Sequence, residues 1–315
     1  MSLPPLLEGR LSLPLIGSPM FIISQPRLVI AQCRAGVVGA FPSLNARPSG
    51  VFEQWLQQLT ATLTDKDAPF AVNLIVHRSN PRLEEDLALC VQYKVPIIIT
   101  SLGARDDVNA AIHSYGGIVL HDVIDDRFAR KAVEKGADGL IAVAAGAGGH
   151  AGTQSPFALV EEIRSWFDGP LALSGAIATG RSIAAARAMG ADLGYMGSAF
   201  IATSEANADA AYKQAIVDGS ASDIVYSNLF TGVHGNYLKP SIIAAGMDPD
   251  NLPDSDPSKM DFAAATDGDK KAWRDIWGCG QGIGAIHAVV PAVDLIARLQ
   301  REYEAALNSL CGARA

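Results

Sequence analysis

Lys135-Gly-Ala-Asp-Gly-Leu-Ile-Ala-Val-Ala-Ala-Gly-Ala-Gly-Gly-His-Ala-Gly152 holds, in one run, the pattern that decides the fold. Gly136-Ala-Asp138 closes a helix, because glycine accepts the left-handed backbone of a C-cap. Gly139-Leu-Ile-Ala-Val143 is apolar throughout, as a strand covered on both faces must be. From Ala144 to Gly152 eight of nine residues are Ala or Gly and the ninth is His150. Such a loop lets a flat ligand lie on bare backbone beside one titratable imidazole. The helix-closing signal returns at Gly190-Ala-Asp192, ahead of another apolar run.

Working outward, apolar strand-like runs alternate with helix-like segments. Strands are expected near residues 14–20, 37–41, 70–76, 95–101, 117–123, 139–144, 171–176 and 193–200. Helices are expected near 25–34, 51–63, 81–93, 105–113, 126–135, 156–166, 180–189 and 205–217. Eight such units predict an α/β protein with a closed (β/α)8 TIM barrel over residues 1–218. Past residue 218 the cadence breaks. Residues 245–257 are polar and turn-rich and read as an ordered excursion or lid, and Val290–Leu310 reads as a closing amphipathic helix. Residues 219–315 are expected to form a C-terminal extension that completes the barrel and covers the active site.

The 315 residues are 49% apolar with a formal net charge of -8. No basic cluster points to nucleic acid, and no apolar run reaches the length of a membrane span. The four cysteines (Cys33, Cys90, Cys279, Cys311) are scattered without metal-ligand spacing or a disulfide framework. With no signal peptide evident, a cytoplasmic protein with buried, inert thiols is expected. The sequence leaves a homodimer open.

Ligands of barrels bind at the carboxyl ends of the strands, so the residues there are the site candidates. Pro19 and Met20, after the first strand, suit an apolar face of a flat cofactor. Asn73 is an amide inside Val72-Asn-Leu-Ile75 and needs a hydrogen-bond partner, from the barrel or from a ligand. The fifth strand ends in His121-Asp122. Neighbouring strand residues point to opposite faces, which disfavours a shared metal ion and leaves His121 as a cofactor contact. No metal site is expected, and His77, His113, His234 and His287 are read as structural or surface residues. The seventh strand ends in Ser174-Gly175-Ala176, with Thr179-Gly180 opening the next helix, and the eighth ends near Gly197-Ser198. These two loops are where barrels hold a phosphate, on backbone N–H groups and a helix N-terminus. Trp277-Gly-Cys-Gly-Gln281-Gly-Ile-Gly284 suggests backbone lying close to a ligand or to another backbone.

Together these features resemble the nitronate monooxygenase family, formerly 2-nitropropane dioxygenase, of FMN-dependent TIM-barrel enzymes. The resemblance is carried by Gly17-Ser-Pro-Met20, Val72-Asn-Leu74, Gly148-Gly-His150, Ser174-Gly-Ala-Ile-Ala-Thr-Gly180, Gly197-Ser-Ala199 and Gly280-Gln-Gly282. It implies that Pro19, Met20 and Asn73 line the flavin and that Gly148 and Gly149 touch its rings. Ser174, Gly175, Gly197 and Ser198 would hold the FMN phosphate, and Gln281 would approach from the C-terminal segment. His150 matches the family's catalytic histidine. Two departures stand out. Some relatives carry a lysine where His121 stands, and relatives acting as NAD(P)H:quinone reductases tend to have His-Pro-Gly in place of His150-Ala-Gly152.

The activity implied is oxidation of alkyl nitronates by FMN and dioxygen to a carbonyl compound and nitrite. An NAD(P)H-dependent quinone or enoyl reductase on the same scaffold is the alternative. A flavin-free sugar-phosphate isomerase or aldolase is the rival from another class, with no strand-end lysine for a Schiff base and no paired carboxylates to support it.

Overall fold

The structure, a computed structural model, describes residues 3–255 and 275–312. Eight parallel strands form a barrel: β1 (Leu15–Gly17), β2 (Gly39–Pro42), β3 (Phe70–Ile75), β4 (Ile97–Ser101), β5 (Ile118–Val123), β6 (Gly139–Val143), β8 (Leu171–Ser174) and β9 (Leu193–Met196). A two-residue strand, β7 (Gly149–His150), follows β6 in sequence and belongs to a second sheet. The hydrogen-bonding order is β1-β9-β8-β6-β5-β4-β3-β2. The ring closes between Ile16 and Val38: Gly17 N–H donates to Val38 O at 2.7 Å, and Val38 N–H donates to Leu15 O at 3.1 Å.

Helices α1 (Pro26–Arg34), α2 (Val51–Thr62), α3 (Leu83–Gln92), α4 (Asp106–His113), α5 (Asp126–Glu134), α6 (Pro156–Arg164) and α7 (Gly180–Ala188) alternate with the strands. A four-residue helix, α8 (Ser198–Ile201), and then α9 (Ala210–Asp218) follow β9. The strand residues are apolar on both sides because both sides are covered. Inside, Ile16, Ala40, Ala71, Ile97, Ile99 and Ile141 fill the barrel, small residues opposing large ones. Outside, Val72, Leu74, Ile98 and Val119 pack against the helices. Leu7, from the segment crossing the amino ends of the strands, joins the interior cluster.

The two Gly-Ala-Asp signals do the same work. Gly136 and Gly190 end α5 and α7 with φ of 91° and 111°. Ala137 and Ala191 are buried. Each aspartate then bonds the adjacent strand twice. Asp138 N–H donates to Val119 O at 2.9 Å and its Oδ2 accepts Val119 N–H at 2.7 Å. Asp192 N–H donates to Leu171 O at 2.7 Å and its Oδ2 accepts Leu171 N–H at 2.9 Å. Asp192 is also paired with Arg164 at 2.6 Å, and the same guanidinium donates to the carbonyls of Phe167, Gly169 and Gly190.

The C-terminal part builds the second sheet. β10 (Ile224–Ser227) pairs antiparallel with β11 (Gly235–Leu238), and β11 pairs antiparallel with β7 in the register Gly235–His150 and Asn236–Gly149. After α10 (Lys239–Ala244), the turn-rich stretch runs on until its last two residues, 256 and 257, fall outside the described residues. The closing helix α11 (Ala292–Cys311) lies against α7 and α1. Among the described residues no helix is long and apolar enough to cross a membrane.

The Arg164–Asp192 pair is only 10% exposed on each side. Removing one partner strands the other charge at low dielectric, which costs about 3 kcal/mol. Arg164→Ala is therefore expected to lower the unfolding free energy by about that amount in urea denaturation. Removing exposed Arg105 from its pairs with Glu84 and Asp107 is expected to cost under about 1 kcal/mol.

Candidate functional site

A cavity of about 1140 Å³ opens at the carboxyl ends of the barrel strands. That is at or above the upper end of ordinary small-molecule sites, roughly 300–1,000 Å³. Its wall brings together Pro19, Met20, Asn73, His121, Gly148, Gly149, His150, Ser174, Gly175, Ala176, Gly197 and Ser198. Gln281 is the exception among the sequence candidates. Its side chain is exposed, and its neighbours Gly280 and Gly282 are the ones on the wall. Gln281 touches the glycine loop through its backbone, whose N–H donates to Gly146 O at 2.9 Å, and through its side chain, whose Oε1 would stand 3.1 Å from a Cβ on Gly146.

The glycine loop after β6 is held by backbone. A Cβ on Gly148 would stand 2.7 Å from Gly280 N, and one on Gly175 would stand 2.8 Å from Ala145 O. Asn236 Nδ2 donates to Ala147 O at 2.6 Å from β11. A Cβ on Gly149, by contrast, would project into open space on the cavity wall. Three non-glycine residues with left-handed backbone line the same cavity: Ile22 (φ 66°), Leu102 (φ 61°) and Ala176 (φ 53°). Strain of this kind persists where the surroundings over-determine the backbone. At Ile22 the cause is visible: Asn45 Oδ1 accepts Ile22 N–H, and Asn45 Nδ2 donates to Met20 O and Ser24 O. The Pro19–Met20 turn is thereby fixed.

The barrel mouth carries a polar chain. Asn73 Nδ2 donates to Ile99 O at 3.0 Å and to Ser101 Oγ at 2.7 Å. Because a carbonyl can only accept, this sets the amide orientation and leaves Oδ1 as the acceptor for a ligand. Ser101 Oγ passes its own hydrogen to Asp122 Oδ2 at 2.5 Å. Burial pushes the Asp122 carboxyl up to about 6, against the Ser101 hydrogen bond. His121 lines the cavity as well, but its partner is Thr100, with Nδ1 2.6 Å from the hydroxyl. Burial holds His121 near 4, so it is neutral at pH 7. Among the described residues no three His, Cys, Asp or Glu side chains cluster as metal ligands.

His150 sits on β7, and its ring is placed by the second sheet. Nε2 is 3.0 Å from Thr231 Oγ1, in the β10–β11 loop. The Thr231 hydroxyl also reaches Val233 O at 2.9 Å. With that hydrogen given to Val233, Nε2 carries the imidazole proton and Nδ1 the lone pair. Burial lowers His150 to about 4, leaving a neutral imidazole.

Anion donors gather after β8 and β9. The N–H groups of Gly175, Gly197, Ser198 and Ala199 have no acceptor among the described residues. Helix α8 begins at Ser198, which matches the short extra helix that holds phosphate in barrels. The expected contribution from the start of α7 is corrected. Thr179 and Ser182 form a capping box there, and Gly180 N–H is taken by Glu302 of α11 at 2.8 Å.

Several wall residues were outside the sequence reading. Ser101 ends Ile97-Ile-Ile-Thr-Ser101 and was open to the argument used for Asn73. His234, read as structural or surface, lines the cavity and stacks on Tyr226 at 5.0 Å. Tyr212, stacked on Trp277 at 4.8 Å, and Tyr237 complete the aromatic side. Nothing in the local sequence announces these, because the second sheet joins segments about eighty residues apart.

Fold and cavity define a (β/α)8 enzyme with its site at the strand carboxyl ends. The profile of the nitronate monooxygenase family matches residues 82–302, more than half of the chain. The chain belongs to that family and is an oxidoreductase. It is 26% identical over 349 residues to a nitronate monooxygenase of Paraburkholderia phytofirmans, covering 94% of each protein. It is 25% identical over 230 residues to a (3aS,4S,5R,7aS)-5-hydroxy-7a-methyl-1-oxo-octahydro-1H-indene-4-carboxyl-CoA dehydrogenase of Rhodococcus jostii, covering 73% of this chain and 64% of that one. Among solved structures, FabK of Thermotoga maritima superposes with a TM-score of 0.79 at 26% identity, covering 98% and 97% of the two chains. The nitroalkane oxidase of Streptomyces ansochromogenes shares the fold with a TM-score of 0.80 at 24% identity, covering 97% and 99%.

The buried groups set a pH dependence. An unfolded histidine titrates near 6.5, whereas His150 in the fold titrates near 4. The unfolded chain therefore binds the proton first, and stability complete above pH 6.5 is lost as pH falls toward 4. Asp122 opposes this: its cost is full above about pH 6 and fades toward 3.8. In thermal melts, His150→Asn is expected to lose less stability than the parent between pH 6.5 and 4. Identical profiles would show that the imidazole is not buried as the neutral form.

Proposed function

We propose that this protein binds FMN in the barrel mouth and oxidises alkyl nitronates, with dioxygen, to a carbonyl compound and nitrite. The observation that carries the reading is a shared cavity: His150, the bare wall at Gly148–Gly149 and Gly175, Gly197 and Ser198 with their unpaired N–H groups all line it. The donor set fits the cofactor. Four N–H groups beside the Ser174 and Ser198 hydroxyls suit a phosphate. Asn73 Oδ1 suits a polar ring edge, and Pro19 and Met20 suit a ring face. The room in front of Gly149 is what a side chain would otherwise fill.

When bound, FMN supplies the electron transfer between nitronate and dioxygen, and the protein binds and orients the reactants. His150 arrives as a neutral imidazole. On this reading Nδ1 takes the α-proton of a neutral nitroalkane, while the Nε2 proton stays with Thr231; for a preformed nitronate no proton need be removed and the ring serves to place the anion. The aromatic side formed by Tyr226, His234 and Tyr237 bounds the space that remains for the substrate.

One observation favours a second reading. The cavity exceeds what FMN and a small nitronate require, which suits the larger substrate of an NAD(P)H-dependent quinone or enoyl reductase.

The purified protein is expected to show a flavin absorption spectrum, natively or after reconstitution with FMN. Mixed anaerobically, it is expected to bleach with an alkyl nitronate. Rapid bleaching by NADH or NADPH, with none by nitronate, would establish the reductase instead. His150→Asn is expected to slow oxidation of neutral nitroalkanes by about 100-fold or more while slowing preformed nitronates less. Equal rates on neutral nitroalkane would remove the base from the mechanism. Gly149→Ala meets no protein atom but must adopt the left-handed φ of 66°, so it is expected both to lower the melting temperature and to weaken FMN binding roughly tenfold, the two effects read separately by thermal melts without FMN and by FMN titration.

A further inference from the structure

Asp122 is the one carboxylate among the described residues that lines the barrel interior at the cavity floor. Along β5, Leu120 belongs to the interior cluster, so the period-two alternation places Asp122 on the inner face and His121 on the outer. The partners agree: Asp122 bonds Ser101, which bonds Asn73, whereas His121 bonds Thr100. The Asn73 amide can only donate to Ser101, so Ser101 must donate to Asp122 Oδ2. The other oxygen, Oδ1, is sealed from solvent and has no hydrogen-bond partner.

The groups around it supply no positive charge. Tyr195 on β9 faces Asp122 and is held far above its ordinary range, first by burial and then by Asp122 itself. β3 and β4 offer only the amide and hydroxyls of Asn73, Thr100 and Ser101. His121 on its own strand and His150 across the cavity are both neutral at pH 7. Lys131 of α5 is exposed at the cavity rim and does not figure among the influences on the Asp122 carboxyl. A carboxylate in such a place is poorly compensated, and a second negative charge in the same cavity makes it less tenable still.

We propose that Asp122 is the proton-accepting group of the cavity floor, taking one proton from water onto Oδ1 when negative charge enters the cavity and releasing it when that charge leaves. Ser101 stays a donor to Oδ2 in both states, so no other bond in the chain Asn73–Ser101–Asp122 changes. The arriving charge is an anionic substrate or, on the flavin reading above, the negative charge of the reduced cofactor.

The test is infrared difference spectroscopy of the full chain reconstituted with FMN, following the carbonyl stretch of a protonated carboxyl group. Before reduction, this band is expected to titrate with a midpoint of about 6. Reduction at pH 7 with dithionite, which supplies two electrons per flavin, is expected to increase the band and move its midpoint up by about one pH unit or more. Asp122→Asn is expected to abolish the change, and His150→Asn to keep it. No increase in the parent, or the same increase in Asp122→Asn, overturns the proposal. Where Asp122→Asn does not fold, Ser101→Ala decides. It removes the hydrogen bond donated to the carboxylate, so the midpoint moves up, and an unmoved midpoint overturns the assignment. A preparation that takes up no FMN fails the flavin reading separately. Titration of the chain with nitrate as an anionic probe then decides: a band that increases on nitrate addition supports the proposal, and no increase overturns it.

Discussion

The carboxyl end of this barrel depends on backbone approaching backbone where no Cβ stands between. A Cβ on Gly280 would lie 2.8 Å from Gly146 O, and one on Gly282 would lie 2.6 Å from Ala176 O. These contacts knit the loop after β6, the loop after β8 and a segment more than a hundred residues downstream. Ser198 Oγ, accepting Gly280 N–H at 2.9 Å, ties the loop after β9 to the same seam. A single methyl group at Gly280 or Gly282 would force these loops apart. The glycines are therefore needed by the fold as much as by any ligand, and the cavity is what the seam leaves open.

The second constraint is electrostatic. Five groups on this wall are shifted toward their neutral forms: His121 and His150 downward, Asp122, Tyr195 and Tyr237 upward, in each case chiefly by burial. A site of neutral groups at low dielectric responds strongly to any charge brought into it. On the proposed function, the unpaired N–H groups near Ser198 would meet a fixed anion, and the groups around the barrel axis would answer a charge that comes and goes.

The barrel was legible because its signals are local. Each strand is a short apolar run, and each Gly-Ala-Asp marks a helix end and the aspartate that pins the next strand. Asn73 was legible for a similar reason, as an amide in an apolar strand needing a partner. Asp122 was visible only as half of a His-Asp pair, because choosing which of the two faces inward requires the register of β5 against β4. The second sheet was not legible at all. β7 is two residues long within a run of Ala and Gly, too short for any alternation to show. Its partner β11 is recognisable only once paired. The glycine-rich run at Trp277–Gly284 admitted a ligand or a backbone as its neighbour; it meets the backbone of the loops after β6 and β8 and also lines the cavity.

The placement of His150 follows from this second sheet rather than from the barrel. β6 ends at Val143, and six residues, all Ala or Gly, separate it from His150. Such a loop cannot hold a ring in one orientation by its own packing. The orientation comes from β11, in register with Gly149 and His150, and from Thr231 in the adjoining loop. Asn236 strengthens the seam from the same strand, donating through its side chain to Ala147 O and accepting Cys279 N–H on its own carbonyl. The C-terminal extension is thus part of the scaffold that places His150. The same extension carries Gly280, which bonds Ser198 beside the unpaired N–H groups, so both ends of the cavity are held by residues beyond α9.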